Sequence, residues 1–167
     1  MIPATKYLVY TLSLGFVLIF SIGSLSAQVV RKMEVSIPSH MAMQMVGSSN
    51  VTFEIPANSN ERLIEKEAAV TIKVQTNRSW VLQVKPQTES LRSLTNKTVI
   101  PSTNLRIRAN GESFMNLQSE DINLIKGNKG SYQSSGNNVS IDYELPYEKD
   151  QSAGNYEVTL VYTLAAI

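Results

Sequence analysis

Apolar and polar positions alternate with period two along most of this chain. Met33, Val35 and Ile37 alternate with polar partners, as do Val51, Phe53 and Ile55. The same holds for Val70, Ile72 and Val74, for Trp80, Leu82 and Val84, and for Leu105 and Ile107. Val139, Ile141, Tyr143 and Leu145 make a longer series, and Tyr156, Val158, Leu160, Tyr162 and Leu164 close the chain. A strand sends successive side chains to opposite faces, so each run predicts a strand with one buried and one wet face. Turn formers separate the runs: Gly47–Asn50, Pro56–Asn60, Asn77-Arg78, Gly127–Gly130, Gly136–Asn138 and Ser152–Asn155. Short strands at this spacing predict an all-β domain, a single antiparallel immunoglobulin-like β-sandwich. Trp80, Leu82, Val84, Val139, Ile141, Tyr156, Val158 and Leu160 are its expected inward set. Ser59–Glu67 is too polar for a stable amphipathic helix. Ser119–Ile125 fits a turn of helix or a short strand. No internal repeat or second domain is visible.

The first 27 residues depart from this pattern. Lys6 precedes an uncharged apolar run from Tyr7 to Ile22, and the small-residue stretch Gly23–Ala27 follows. That order predicts a secretory signal peptide over residues 1–27, cut after Ser26 or Ala27, with the sandwich over residues 28–167. The alternative is an uncleaved anchor, which would be the chain's one membrane contact. The apolar run falls short of the ~20 residues of a spanning helix, although Gly23–Ala27 extend it. The expected location is secreted or at the cell surface, which in a Gram-negative cell means the periplasm.

Charge and cysteine content narrow the function. Lys6 is the leader's only charge, so residues 28–167 carry equal numbers of basic and acidic side chains. A neutral domain lacks the basic face with which a nucleic-acid binder displaces counterions. With no cysteine, thiol catalysis, iron–sulfur clusters, thiolate zinc sites and lipid attachment at a cysteine are excluded. An exported domain without disulfides must be stable on its core alone.

Few residues suggest chemistry, and no cofactor is expected. His40, the single histidine, precedes Met41, Met43 and Met45, which line one strand face at intervals of about 6.6 Å. Thioethers with an imidazole make a soft Cu(I) donor set, and the competing reading is methionine packing in an irregular inner face. A Ser-His-acid triad has no local signature here. Glu120-Asp121 and the Glu148/Asp150 pair lack the spacing of a calcium loop, and fit solvated loops better than a paired-carboxylate site. Arg106 and Arg108 share an outward face, where they either contact an anionic polymer or protect a sheet edge from foreign strands. Asn50, Asn77, Asn96 and Asn138 head Asn-x-Ser/Thr sequons, which matter in a eukaryotic secretory pathway; a bacterial source is expected here.

Two motifs are more specific. Asn77–Val84 places Trp80-Val81-Leu82 inside a strand, and Gly154–Leu164 ends the chain with Gly-x-Tyr followed by Tyr-Thr-Leu. In this order they resemble the WxL domain of bacterial cell-surface proteins, over residues 50–167. The resemblance implies a β-sandwich held non-covalently to the cell wall through its polymer. It makes Trp80, Leu82 and Tyr162 candidate contact residues beside Arg106 and Arg108. Tyr162 stands where that family carries a second tryptophan. Other exported sandwiches share such motifs, and a pilin-like subunit that assembles by strand exchange is the alternative, with Tyr156–Leu164 as the participating strand. Both readings are non-enzymatic. The partners are cell-wall polymer, other surface proteins or further copies of the chain.

Removal of the leader has a direct check. The intact mass of exported protein should correspond to a chain starting at Ala27 or Gln28, and full-length protein retained in the membrane would contradict it.

Overall fold

In a computed structural model, residues 36–57 and 60–167 are described, and Pro38–Ile167 form one compact unit. The regular elements are eleven strands and one short 3-10 turn. They are β1 (Met41–Val46), β2 (Asn50–Ile55), β3 (Leu63–Thr76), β4 (Trp80–Pro86), β5 (Ser90–Ser93), β6 (Val99–Pro101), β7 (Arg106–Ala109), β8 (Met115–Asn116), β9 (Ile122–Gly127), β10 (Asn138–Pro146) and β11 (Gly154–Ala166). All ladders between them are antiparallel, and the two sheets pack face to face.

The first sheet runs β1-β3-β10-β7-β8. In the second, β11 is the organiser. β4 pairs its C-terminal half, Leu160–Ala166, and β5 pairs Tyr156 and Glu157. β2 pairs its N-terminal half, Gly154–Thr159. The Thr159 carbonyl accepts from Gln87 N–H, whereas Leu160 N–H donates to the Ser49 carbonyl. Successive residues of a strand address opposite edges, so β4 and β5 lie along one edge of β11 and β2 along the other. β9 and β6 complete the sheet outside β4 and β5.

The expected inward residues are all buried, together with Phe53, Leu91, Leu105, Ile107 and Tyr143. Period two sets their orientation, because each run has one face that can leave water. Trp80 is the largest of these side chains. Its Nε1–H donates to the Asn128 carbonyl at 3.0 Å, so the indole buries no unpaired donor. Its ring lies on Gly127, where an added Cβ would come within 2.2 Å of the indole. Gly127, expected in a turn, is therefore the last residue of β9 and leaves room for Trp80.

Leu63–Glu67 belong to β3, which is longer than its apolar alternation and forms no helix there, and of the two options for Ser119–Ile125 the short strand holds, as β9 from Ile122. β5, β6 and β8 carry too few apolar residues to show a period. Met33 and Val35 lie outside the described residues, and Ile37 is 75 % exposed outside any strand.

Trp80→Ala should cost about 3–5 kcal/mol in denaturant unfolding, as truncation of a large core aromatic does. Gly127→Ala should cost about 1–3 kcal/mol by overpacking the indole. A loss below about 1 kcal/mol for Trp80→Ala would contradict its place in the core.

Candidate binding surface

The aromatic motif residues sit inside the domain. Trp80 and Leu82 are fully buried. The expectation that they touch a ligand is corrected accordingly, because the folded domain presents none of their surface. Tyr162 is 8 % exposed, and its hydroxyl lies 2.6 Å from that of Tyr143. This pair bridges the two sheets with one hydroxyl donating to the other. Burial raises the Tyr143 pKa to about 12, with the Tyr162 hydrogen bond opposing it. Burial first, then Tyr143, raises that of Tyr162 further.

Arg106 and Arg108 share the outer face of the first sheet, as expected, but each is matched by a carboxylate directly across the ladder. Arg106 Nη2 meets Glu144 Oε1 at 2.9 Å, and Arg108 Nε meets Asp142 Oδ2 at 2.7 Å. The Asp142 hydrogen bond raises the Arg108 pKa, against desolvation. The Arg108 guanidinium also lies 4.4 Å from the centre of the Phe114 ring. Asp142 is nearly buried, and its Oδ1 accepts from the backbone N–H of Ala68 at 2.8 Å. That N–H belongs to an irregularity where Glu67, Ala68 and Ala69 of β3 oppose Asp142 alone, with Ala68 at φ +46°. The arginines thus cross-brace the sheet, and an incoming anion would compete with carboxylates already in place.

His40 and the methionines do not form one cluster. His40 is exposed, and its backbone N–H donates to Asn77 Oδ1. Met41, Met43 and Met45 stand opposite Thr76, Val74 and Ile72 in the β1–β3 ladder. Directly opposed side chains share a face, and all three partners are buried. The methionine row therefore faces inward, at strand spacing. Among the described residues, no group of three His, Cys, Asp or Glu side chains is arranged to hold a metal ion. Glu120, Glu148 and Asp150 are exposed loop residues, and Asp121 pairs with Lys85 at 2.9 Å.

The methionine row marks a feature that the sequence pattern does not reveal. β1 and β2 are consecutive segments joined by Gly47–Ser49, yet β1 pairs with the first sheet and β2 with the second. Gly47 makes the crossing at φ +114°, and an added Cβ would meet the Ala69 carbonyl oxygen at 3.0 Å. The crossing divides the seam. Beyond Leu160, the β11 edge that β2 covered further back has no paired strand among the described residues. The N–H and C=O groups of Tyr162, Leu164 and Ala166 point to that edge, because the odd-numbered residues serve β4. Met43 remains 36 % exposed although its side chain points inward. Met41, Met45 and Leu164 are partly buried against the core.

A second concavity, of about 440 Å³, lies between the loops after β2 and β10. Pro56, Asn60, Arg62, Tyr147, Lys149 and Gln151 line much of it. The Tyr147 hydroxyl is buried with no hydrogen-bond partner among the described residues. No protein-family model and no curated protein matches this sequence.

The tyrosine pair predicts a pH dependence. Above pH 10 the unfolded chain releases phenolic protons that the folded domain retains, so folding stability is intact below about pH 10. It should then fall as pH rises toward 12, where Tyr143 titrates in the fold. Denaturant midpoints at pH 9 and pH 11 measure this loss, and the Tyr143→Phe/Tyr162→Phe double variant should reduce it. Tyr162→Phe alone strands the buried Tyr143 hydroxyl and should cost about 1–3 kcal/mol at neutral pH. Equal midpoints at the two pH values would contradict the assignment.

Proposed function

We propose that this is an exported, non-enzymatic surface protein whose sandwich helps to build surface structure by main-chain pairing. The observation that carries this reading is the divided seam: beyond Leu160, the edge of β11 that β2 covers further back has no paired strand among the described residues. A strand edge offers affinity through backbone hydrogen bonds, and the alternating side chains beside it offer selectivity. The signal-peptide pattern, the neutral charge and the disulfide-free core suit an extracytoplasmic building module. The arrangement supplies no paired acid and base beside a nucleophile on which to hang a reaction.

The loop-end concavity favours a second reading, retention on cell-wall polymer. Lys149 and the side-chain amides of Asn60 and Gln151 line it and offer polar contacts to a saccharide. This keeps the wall-binding role implied by the WxL resemblance, but moves it from Trp80 and Tyr162 to a different surface.

Sizing of the chain from Gln28 onward, beside a pull-down on purified peptidoglycan, separates the readings. Concentration-dependent self-association without wall retention is the expected result. Wall retention by a strictly monomeric protein would overturn the structural reading in favour of polymer binding.

A further inference from the structure

The β5–β6 hairpin carries a concavity of about 320 Å³. Ser90, Arg92, Asn96, Lys97 and Thr98 line much of it, and no carboxylate does so among the described residues. The register accounts for this composition. Leu91 and Ile100 pair across the hairpin and are buried, so the next pair, Arg92 and Val99, turns to the outer face of the second sheet. Ser90 shares that face two residues away. Neither Arg92 nor Lys97 joins an ion pair among the described residues.

The turn between the two strands spends its own acceptors on its own backbone. Ser93 N–H donates to the Thr98 carbonyl at 3.0 Å and closes the turn. The Ser93 hydroxyl oxygen accepts from the N–H groups of Thr95 at 3.3 Å and Asn96 at 3.2 Å. Asn96 Oδ1 accepts from Thr98 N–H at 2.9 Å and from the Thr98 hydroxyl. The Thr98 hydroxyl also lies 2.7 Å from that of Tyr156, a core side chain, which ties the turn to the interior. With these oxygens committed, donors are what the concavity offers a ligand. They are the Arg92 guanidinium, the Lys97 ammonium, the N–H groups of the Asn96 amide and the Ser90 hydroxyl.

We infer that this concavity binds a phosphate group between Arg92 and Lys97, with Asn96 and Ser90 as further donors. Two cations and two neutral donors outnumber the two oxygens of a carboxylate, whereas a phosphate presents three or more strong acceptors. The turn is already ordered, so binding immobilises little of the chain. Glu157 stands opposite Arg92 in the β5–β11 ladder and lines the neighbouring concavity with it. It weakens the attraction for an anion without entering the phosphate site. The site shares no lining residue with the loop-end concavity, so it is a contact beyond both readings above.

Chemical-shift titration of the exported protein with sodium phosphate tests this, read at the backbone amides of Arg92 and of residues 96–98. Saturable shifts confined to the hairpin are expected, and added salt should weaken them. Arg92→Gln and Lys97→Gln should each weaken binding about two- to fivefold, and the double variant should abolish it. Glu157→Gln should strengthen it. Arg92 and Lys97 are exposed, so unchanged denaturant midpoints should show that their variants fold. Polyphosphate titrated beside sodium phosphate distinguishes the source of the group. Tighter binding per phosphate marks a phosphate-bearing polymer, and equal binding marks the free ion. Acetate bound as tightly as phosphate overturns the phosphate assignment. Absent shifts, shifts centred elsewhere, or unchanged binding by a folded double variant overturn the site and leave the surface-structure and wall readings as they stand.

Discussion

Residues 41–55 must line two sheets at once, and the chain has one short crossing, at Gly47, with which to do so. A sandwich has two sheets to finish on each side, and every strand edge carries backbone donors and acceptors that need partners. Here one stretch of chain serves both sheets in turn. It covers Thr71–Thr76 of β3 first and Gly154–Thr159 of β11 afterwards. Each sheet is therefore left with the half-edge that the other received. The crossing requires a left-handed backbone and the absence of a Cβ, so the division is set by a single glycine. The placement of β2 and the stretch of β11 that has no paired strand among the described residues both follow from it.

The interior is fixed by polar contacts as well as by apolar area. The Tyr143–Tyr162 hydroxyl pair joins the two sheets across the core, and its members come from β10 and β11. Asp142 lies next to Tyr143 on the opposite face of β10. There it reaches both neighbouring strands, Arg108 of β7 and the Ala68 N–H of β3. Consecutive residues of one strand thus tie the inner and outer faces of the same region. A buried carboxylate is costly unless it is matched, and here the match is a cation directly across the ladder plus an N–H that the β3 irregularity would otherwise strand. This makes β10 the strand whose register is least free to slip.

Period two made much of the fold legible, because burial between two sheets is what that period encodes. β2, β3, β4, β10 and β11 carry alternations of three or more apolar residues, and they supply most of the core. β5, β6 and β8 were illegible for a physical reason: they are short edge or connecting pieces whose stability comes from neighbours. β4 and β5 are almost one strand, interrupted at Gln87–Glu89, and no local pattern separates them from a loop. The candidate surface was legible only in its parts. The row Met41, Met43, Met45 is visible in the sequence, but its meaning depends on what lies opposite, and register and sheet assignment are long-range properties. Arg106 and Arg108 likewise read as a free cationic face until Asp142 and Glu144 are placed across from them. Trp80 read equally as anchor or contact, since an aromatic in an alternating run serves either.

Methionine at these three positions suits an inward face that is only partly covered. β-branched residues dominate the other inward runs, and their χ1 stiffness suits a surface with one permanent partner. A partly covered face needs side chains that can fold down over the floor and fill irregular gaps. Unbranched thioethers do this with little rotamer cost and keep favourable dispersion contacts in either arrangement. Met41 and Met45 are partly buried, and Met43 between them is exposed. Copper binding uses the same sulfurs but needs donors that converge on a point. Side chains in register along a strand are spaced by about 6.6 Å, which spreads them into a line. A line of soft apolar groups matches the one-sided apolar row of another strand better than it matches an ion.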